Sequence, residues 1–313
     1  MSLRRFVNWF VMSVLLFFLL SALLFVLISL TPGDAARTIV GPTASQAQYE
    51  AVRTELGLDL PLWQQYTTWL GSVFRGDLGT SVVSGVPVAD VLADRLEPTL
   101  AIIICTFVCA SILGVVLGVI GASRPGAVGK TADVLSVIGS AVPNFWIGLV
   151  LAAIFAVQLR WLPTSGYAPM VDGIGPWAAH LILPVATLTL AGTALLAKQT
   201  RDAVAEQLAQ PYIVLLRAHG VSERRVLWRH ALRGAAIPIV TILGMKMVGL
   251  TTGTVLIENV FVIPGFAGYA VNATLLHDIP VVQAITLIFA IVIIVTNLVV
   301  ELLYARLNVK ENA

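Results

Sequence analysis

The sequence predicts an all-α integral membrane protein with six transmembrane helices and a helical extracytoplasmic region after the first of them. Three observations carry this. Of the 313 residues, 58% are hydrophobic and only 12% charged, whereas soluble domains run near ~45–50% apolar and ~25% charged. A mean hydropathy of +0.91 describes more apolar surface than one soluble core can hide. Apolar runs of about 20 residues, the length that crosses a bilayer, recur along the chain, and the Lys and Arg residues between them are abundant in alternate loops.

Arg4 and Arg5 precede the first run, 6–30. It exceeds the ~7–15 residues of a signal-peptide core and no A-x-A site closes it, so a retained helix is expected. Thr31-Pro32-Gly33-Asp34 ends it. A polar region follows to residue 98, punctuated by Gly and Pro. Two helices are expected within it, 45–56 with Ser45 as N-cap, and 62–74. Further spans are predicted at 99–122, at 132–157 with Pro143 inside, at 179–197 with Pro184 inside, at 235–257 and at 280–304. This divides the chain into residues 1–30 (cytoplasmic N-terminus and first span), 31–98 (extracytoplasmic) and 99–313 (the remaining spans). Six spans with a cytoplasmic N-terminus place 13 Lys/Arg inside and 5 outside, so both termini are expected in the cytoplasm.

The longest polar interruption in the second half, residues 198–233, is then cytosolic. It carries seven Lys/Arg against three acids, Asp202, Glu206 and Glu223. Pro211 can open a short helix, Gly220 suits its C-cap, and Ser222 can cap a second helix with Arg225, Arg229 and Arg233 spaced by four. The positive-inside rule explains the arginines. It does not explain the apolar run Tyr212, Ile213, Val214, Leu215 and Leu216, which should be covered by a partner.

Several chemistries are excluded. The +2 net charge is too small to argue for nucleic acid. Arg124 to Thr131 resembles a phosphate-binding loop, but an arginine stands where glycine is required and a membrane helix precedes it; any ATP must be hydrolysed by another polypeptide. No catalytic or metal-ligand constellation is present, and Cys105 and Cys109 read as packing residues. An ion-coupled transporter would need a relay of ionisable groups, yet Lys246 is the one charge deep in a span. Glu258 and Glu301 read as interfacial. Lys246 should face a bundle interior or water, either on a translocation path or at a helix contact. The stripes Gly114/Gly118 and Gly249/Gly253 permit close helix approach, within one subunit or between two.

The segment 211–238, including Arg217-Ala218-His219-Gly220-Val-Ser-Glu-Arg-Arg-Val-Leu-Trp-Arg-His-Ala-Leu-Arg233, resembles the cytoplasmic "EAA" loop of ABC-transporter membrane subunits. It looks most like the dipeptide/oligopeptide/nickel importer family, in particular the first permease subunit of peptide importers. Pro32-Gly33-Asp34, Leu56-Gly57-Leu58-Asp59, Arg75-Gly76-Asp77-Leu78-Gly79, Pro143-Asn144-Phe145-Trp146, Trp161-Leu162-Pro163, Pro264-Gly265 and Pro280-Val281-Val282-Gln283 extend the resemblance over nearly the whole chain. Departures fall on the general Glu-Ala-Ala triplet, here Val214-Leu215-Leu216, and on its Leu-Pro, here Leu232-Arg233.

The resemblance implies a type I importer-like permease without a cofactor of its own. Its implied partners are a second, usually non-identical permease, two cytoplasmic ATPase subunits holding ATP and Mg²⁺, and an extracytoplasmic substrate-binding protein. Its implied place is the bacterial cytoplasmic membrane, and its cargo peptides, nickel chelates or glutathione-like solutes. Within the coupling loop, 198–234, it assigns ATPase contact to Tyr212, Ile213, Leu215, Leu216, Arg217, Ala218, His219, Gly220, Arg224 and Arg225. Asn144 and Trp146 join Lys246 as expected residues of the translocation path.

Overall fold

A computed structural model describes residues 3–30, 35–41, 43–55, 57–123 and 142–308. The Pro32-Gly33-Asp34 motif, the basic turn 124–130, the first half of the span expected at 132–157 and the extreme C-terminus lie outside the described residues.

The helices are α1 (Leu3–Ser29), α2 (Ala35–Val40), α3 (Gln46–Glu55), α4 (Leu62–Phe74), α5 (Val88–Ser123) and α6 (Asn144–Leu151), which runs on as a π-helix, Ala152–Gln158. They continue with α7 (Ile174–Leu208), α8 (Pro211–Ala218), α9 (223–234), α10 (Ala236–Val260), α11 (Phe266–Leu275) and α12 (Ile279–Asn308). In α9, a π-helical stretch, Val226–Ala231, separates two α-helical turns. Among the described residues, four helices are long and apolar enough to cross a membrane: α5, α7, α10 and α12. Val11–Leu27 of α1 and Asn144–Gln158 are shorter apolar helices among the described residues.

Local chemistry explains the helix starts. Ser45 Oγ accepts the Gln48 N–H at 3.3 Å while Gln48 Oε1 accepts the Ser45 N–H at 3.0 Å, a capping box that opens α3. Two expected boundaries move. The span expected at 99–122 begins at Val88 and runs through Pro98. The span expected at 179–197 begins at Ile174 and ends at Leu208. At 1.5 Å per residue, the 35 residues of α7 extend about 52 Å against a hydrocarbon core of about 30 Å. The helix therefore continues well into water, and Lys198, Arg201, Asp202 and Glu206 belong to a rigid extension, braced by a Lys198–Asp202 ion pair of 3.1 Å.

The chain divides into two units. The first comprises Pro98–Ile263 with Val295–Ala313. Its principal core gathers Ile102, Leu181, Leu183, Leu188, Ile257 and Phe261 from α5, α7 and the end of α10. A second cluster joins Val119, Val204, Ala231, Ala235 and Ile239. The Gly114/Gly118 stripe packs α5 onto α7: a Cβ on Gly118 would lie 2.5 Å from Thr200 Cβ and 2.7 Å from the Ala197 carbonyl oxygen. Gly249 has open space where a Cβ would stand, so the two stripes differ. Glu258, expected at an interface with water, is 1% exposed and accepts a hydrogen bond from Thr99 Oγ1 at 2.5 Å; a buried carboxyl needs such a donor.

The second unit comprises Ser2–Glu97 with Pro264–Ile294. Phe25 of α1 packs against Tyr66 and Trp69 of α4, and Ser21 Oγ lies 2.7 Å from Tyr66 Oη. A tight turn bridged at Thr80 and Pro87 is held by Asp278, which is 2% exposed. Its carboxylate accepts from Ser81 Oγ at 2.5 Å and from the Val82 N–H at 3.1 Å. Asp278→Ala leaves both donors without this acceptor at a cost of about 1–3 kcal/mol. The expected result is faster protease cleavage between residues 79 and 88; unchanged cleavage would show that the turn is held by other means.

Candidate functional site: the basic loop and the cleft lined by Lys246

The loop is built around α8. Pro211 occupies its first turn, where a missing N–H costs nothing. The helix stops at Gly220, whose φ of +77° is accessible to glycine at little cost. The Gly220 N–H donates to Arg217 O at 2.9 Å and the Val221 N–H to Leu216 O at 3.1 Å, the paired bonds of a Schellman cap. His219 Nδ1 lies 2.8 Å from Leu215 O. Arg217 then closes the turn onto Glu223 through two bonds, Nε–Oε1 at 2.7 Å and Nη2–Oε2 at 3.1 Å. That bonding raises the Arg217 pKa and lowers that of Glu223.

The apolar run divides in two. Ile213 is fully buried, as is Val226 of α9, against which α8 packs. Ile213, expected at the contact surface, is thus turned into the fold and supports the helix. Leu216 is half-buried. Val214 is 63% exposed and Leu215 59%. Tyr212 is also exposed; its hydroxyl donates to Gln207 Oε1 at 3.3 Å, and partial burial raises its pKa. Ala218, His219, Gly220, Arg224 and Arg225 are exposed. Ser222 occupies the N-cap position of α9, but its side chain makes no capping bond.

Beneath α8 the chain is stiff. Val204 of α7 is wholly buried with Ala231 and Ala235, the residues that lead into α10. The arm entering the loop and the arm leaving it thus share one packed cluster, and α8 packs against the π-helical stretch of the leaving arm.

Those helices, with α5, surround a cleft of about 410 Å³. Lys246, Asn144, Thr106, Ser111 and Gln199 supply its polar lining, and Gly192, Gly249 and Gly253 its open backbone faces. Lys246 and Asn144 therefore share one cavity. Trp146 does not line it and is 58% exposed on α6, which separates it from the other two. The Lys246 ammonium lies over Gly192, 3.9 Å from where a Cβ would stand. Sequence reasoning missed Thr106 and Gln199; the available signal was polar side chains interrupting, or just following, an apolar run. Among the described residues, no group of three or more His, Cys, Asp or Glu is placed to hold a metal.

Comparison with known proteins agrees with this architecture. The model of the family described as "Binding-protein-dependent transport system inner membrane component" matches residues 110–310, and the model of its N-terminal part matches residues 2–103. The chain is 38% identical to "Probable peptide ABC transporter permease protein y4tP" of Sinorhizobium fredii over 90% of each chain. It is 40% identical to "Glutathione transport system permease protein GsiC" of Escherichia coli, over 96% of this chain and 93% of that one. With "Oligopeptide transport system permease protein AppB" of Bacillus subtilis the identity is 36%, over 89% and 90%. Among solved structures, a chain of the MetNI methionine ABC transporter superposes with a TM-score of 0.56 at 15% identity, covering 69% of this chain and 96% of that one. That likeness concerns the fold; the sequence matches decide the family. The chain belongs to the binding-protein-dependent transport system inner membrane components, as a permease subunit and not an enzyme.

Proposed function

We propose that this permease forms half of the pathway of an ATP-driven importer of short peptides and that α8 is its coupling helix. The observation that carries the coupling role is the exposure of Val214 and Leu215 on a capped helix that packs against the π-helical stretch of α9. An exposed apolar pair held this firmly suits insertion into a partner's cleft. Tyr212, Leu216, Arg217, Ala218, His219, Gly220, Arg224 and Arg225 surround that contact, with Ile213 supporting it from inside. Two ATPase subunits with ATP and Mg²⁺ below, and a second, non-identical permease alongside, complete the machine. A substrate-binding protein docks on the extracytoplasmic side, where residues 31–98 receive it. Both termini and the loop 198–234 lie in the cytoplasm of a bacterial cell, and Lys246 and Asn144 line the path in the core 99–313. The relatives named for peptide transport support the cargo; the relative named for glutathione supports a close second reading, since glutathione is itself a peptide-like anion.

The test is reconstitution of the complete complex with its ATPases and binding protein in liposomes. Peptide uptake should require ATP, and should fall to background when the ATPase subunits are left out. Uptake that persists without them and follows an ion gradient would overturn the reading.

A further inference from the structure

We infer that the cleft holding Lys246 is an anion subsite that receives a carboxylate of the cargo as it passes through the membrane. The inference rests on the importer reading and adds the chemistry the path recognises. Lys246 is the eleventh of the 25 residues of α10, about 15 Å along the axis from the nearer end. Its stem is too short to carry the ammonium to either interface, so it cannot relieve its burial as end-of-helix lysines do. Such a charge costs about 2.5–3.5 kcal/mol on insertion scales, and a structural lysine would be expected to recover this through a carboxylate partner. Lys246 has no hydrogen bond or ion pair to any described residue.

The surroundings point to a ligand. Lys246 is the one ionisable residue lining the cleft among the described residues, and none of them supplies a carboxylate there to offset its charge. Thr106 is fully buried and its Oγ1, like Gln199 Oε1, has no hydrogen-bond partner among the described residues, although both residues line the same cleft. Buried polar atoms are seldom left so. The ammonium and the threonine hydroxyl are donors suited to a carboxylate, and the glutamine oxygen is an acceptor suited to an amide N–H. A ligand carrying both groups offers each of the three a partner of the right kind, and the end of a peptide chain carries both. The volume of about 410 Å³ is within the range of small-molecule sites. Lysine offers a mobile point charge and not a rigid fork, which suits a group that must bind and leave.

The test uses the reconstituted complex with the same binding protein throughout, and short alanine peptides with either a free C-terminal carboxylate or a C-terminal amide. Uptake of each is compared for wild type, Lys246→Gln and Lys246→Arg. In Lys246→Gln the free-acid to amide uptake ratio should fall about tenfold, whereas Lys246→Arg should keep most of it. The binding protein's own preference is common to all three and cancels. The amidated peptide reports the general competence of each variant in the same vesicles, so a drop confined to the free acid does not arise from misassembly. A ratio unchanged by Lys246→Gln, or an equal loss of both peptides, overturns the subsite. Wild-type complex that takes up neither peptide overturns the peptide reading, and this inference with it.

Discussion

Leu215→Asp should reduce ATP-driven uptake at least tenfold while leaving the amount of permease in the membrane unchanged. Leu215 is 59% exposed, so its replacement disturbs no core and the isolated subunit should fold as before. Once the side chain enters an apolar cleft of the ATPase, its burial contributes about 1.5–3 kcal/mol. A carboxylate there loses that contribution and must also be desolvated. At 1.4 kcal/mol per factor of ten, docking weakens by about 10- to 100-fold or more. The measurements are co-purification of the ATPase subunits and uptake in vesicles of matched permease content. Gly220→Pro tests the same element through the backbone, because a φ near −65° cannot replace +77° and the Schellman cap is lost. Ile213→Asp separates anchor from contact: Ile213 is fully buried, so it should lower the folded yield, unlike Leu215→Asp. Normal ATPase recovery and normal uptake for Leu215→Asp would remove α8 from the coupling role.

Gly118→Val should be the most damaging single substitution in the membrane core, with Gly249→Val as its control. A Cβ at Gly118 meets Thr200 Cβ at 2.5 Å and the Ala197 carbonyl oxygen at 2.7 Å, whereas at Gly249 it meets nothing within 4 Å. The oxygen belongs to the helix backbone and cannot rotate away, so α5 and α7 must separate. Overpacking of this kind costs about 1–3 kcal/mol or more, and in a membrane bundle close contact of small residues is a main source of association. The expected readout is a lower melting temperature and lower yield in detergent for Gly118→Val, and values near wild type for Gly249→Val. Equal tolerance at the two positions would show that the α5–α7 contact is looser than described.

Much of the fold was legible because its causes are local. The bounds 62–74 of α4, the N-cap at Ser45, the opening of α8 at Pro211 and its stop at Gly220 each depend on chemistry within a few residues. The extension of α7 was not legible by hydropathy, which detects where the bilayer ends and not where a helix ends. The same limit hid the start of α5 at Val88. Five consecutive apolar residues before His219 looked alike as letters; only packing of α8 on the π-helical stretch of α9 separates buried Ile213 from exposed Val214 and Leu215. Trp146 and Asn144 stand in one motif of the family resemblance, but residues two apart on a helix do not face each other.

By itself, then, the sequence determined a multi-span membrane protein and, within its basic loop, a short capped helix. Composition, charge asymmetry and turn chemistry are properties of single segments, and each carries its own signal. The tertiary structure decided which residues meet. Thr106, Asn144, Gln199 and Lys246 lie on four different helices and become one cleft only when α5 and α7 close on Gly114 and Gly118 and α10 packs beside them. Glu258 likewise is a buried carboxyl that meets Thr99 of α5 only in the folded chain. Contacts between helices far apart in the chain depend on the shapes of both partners, and neither strip of sequence records the shape of the other.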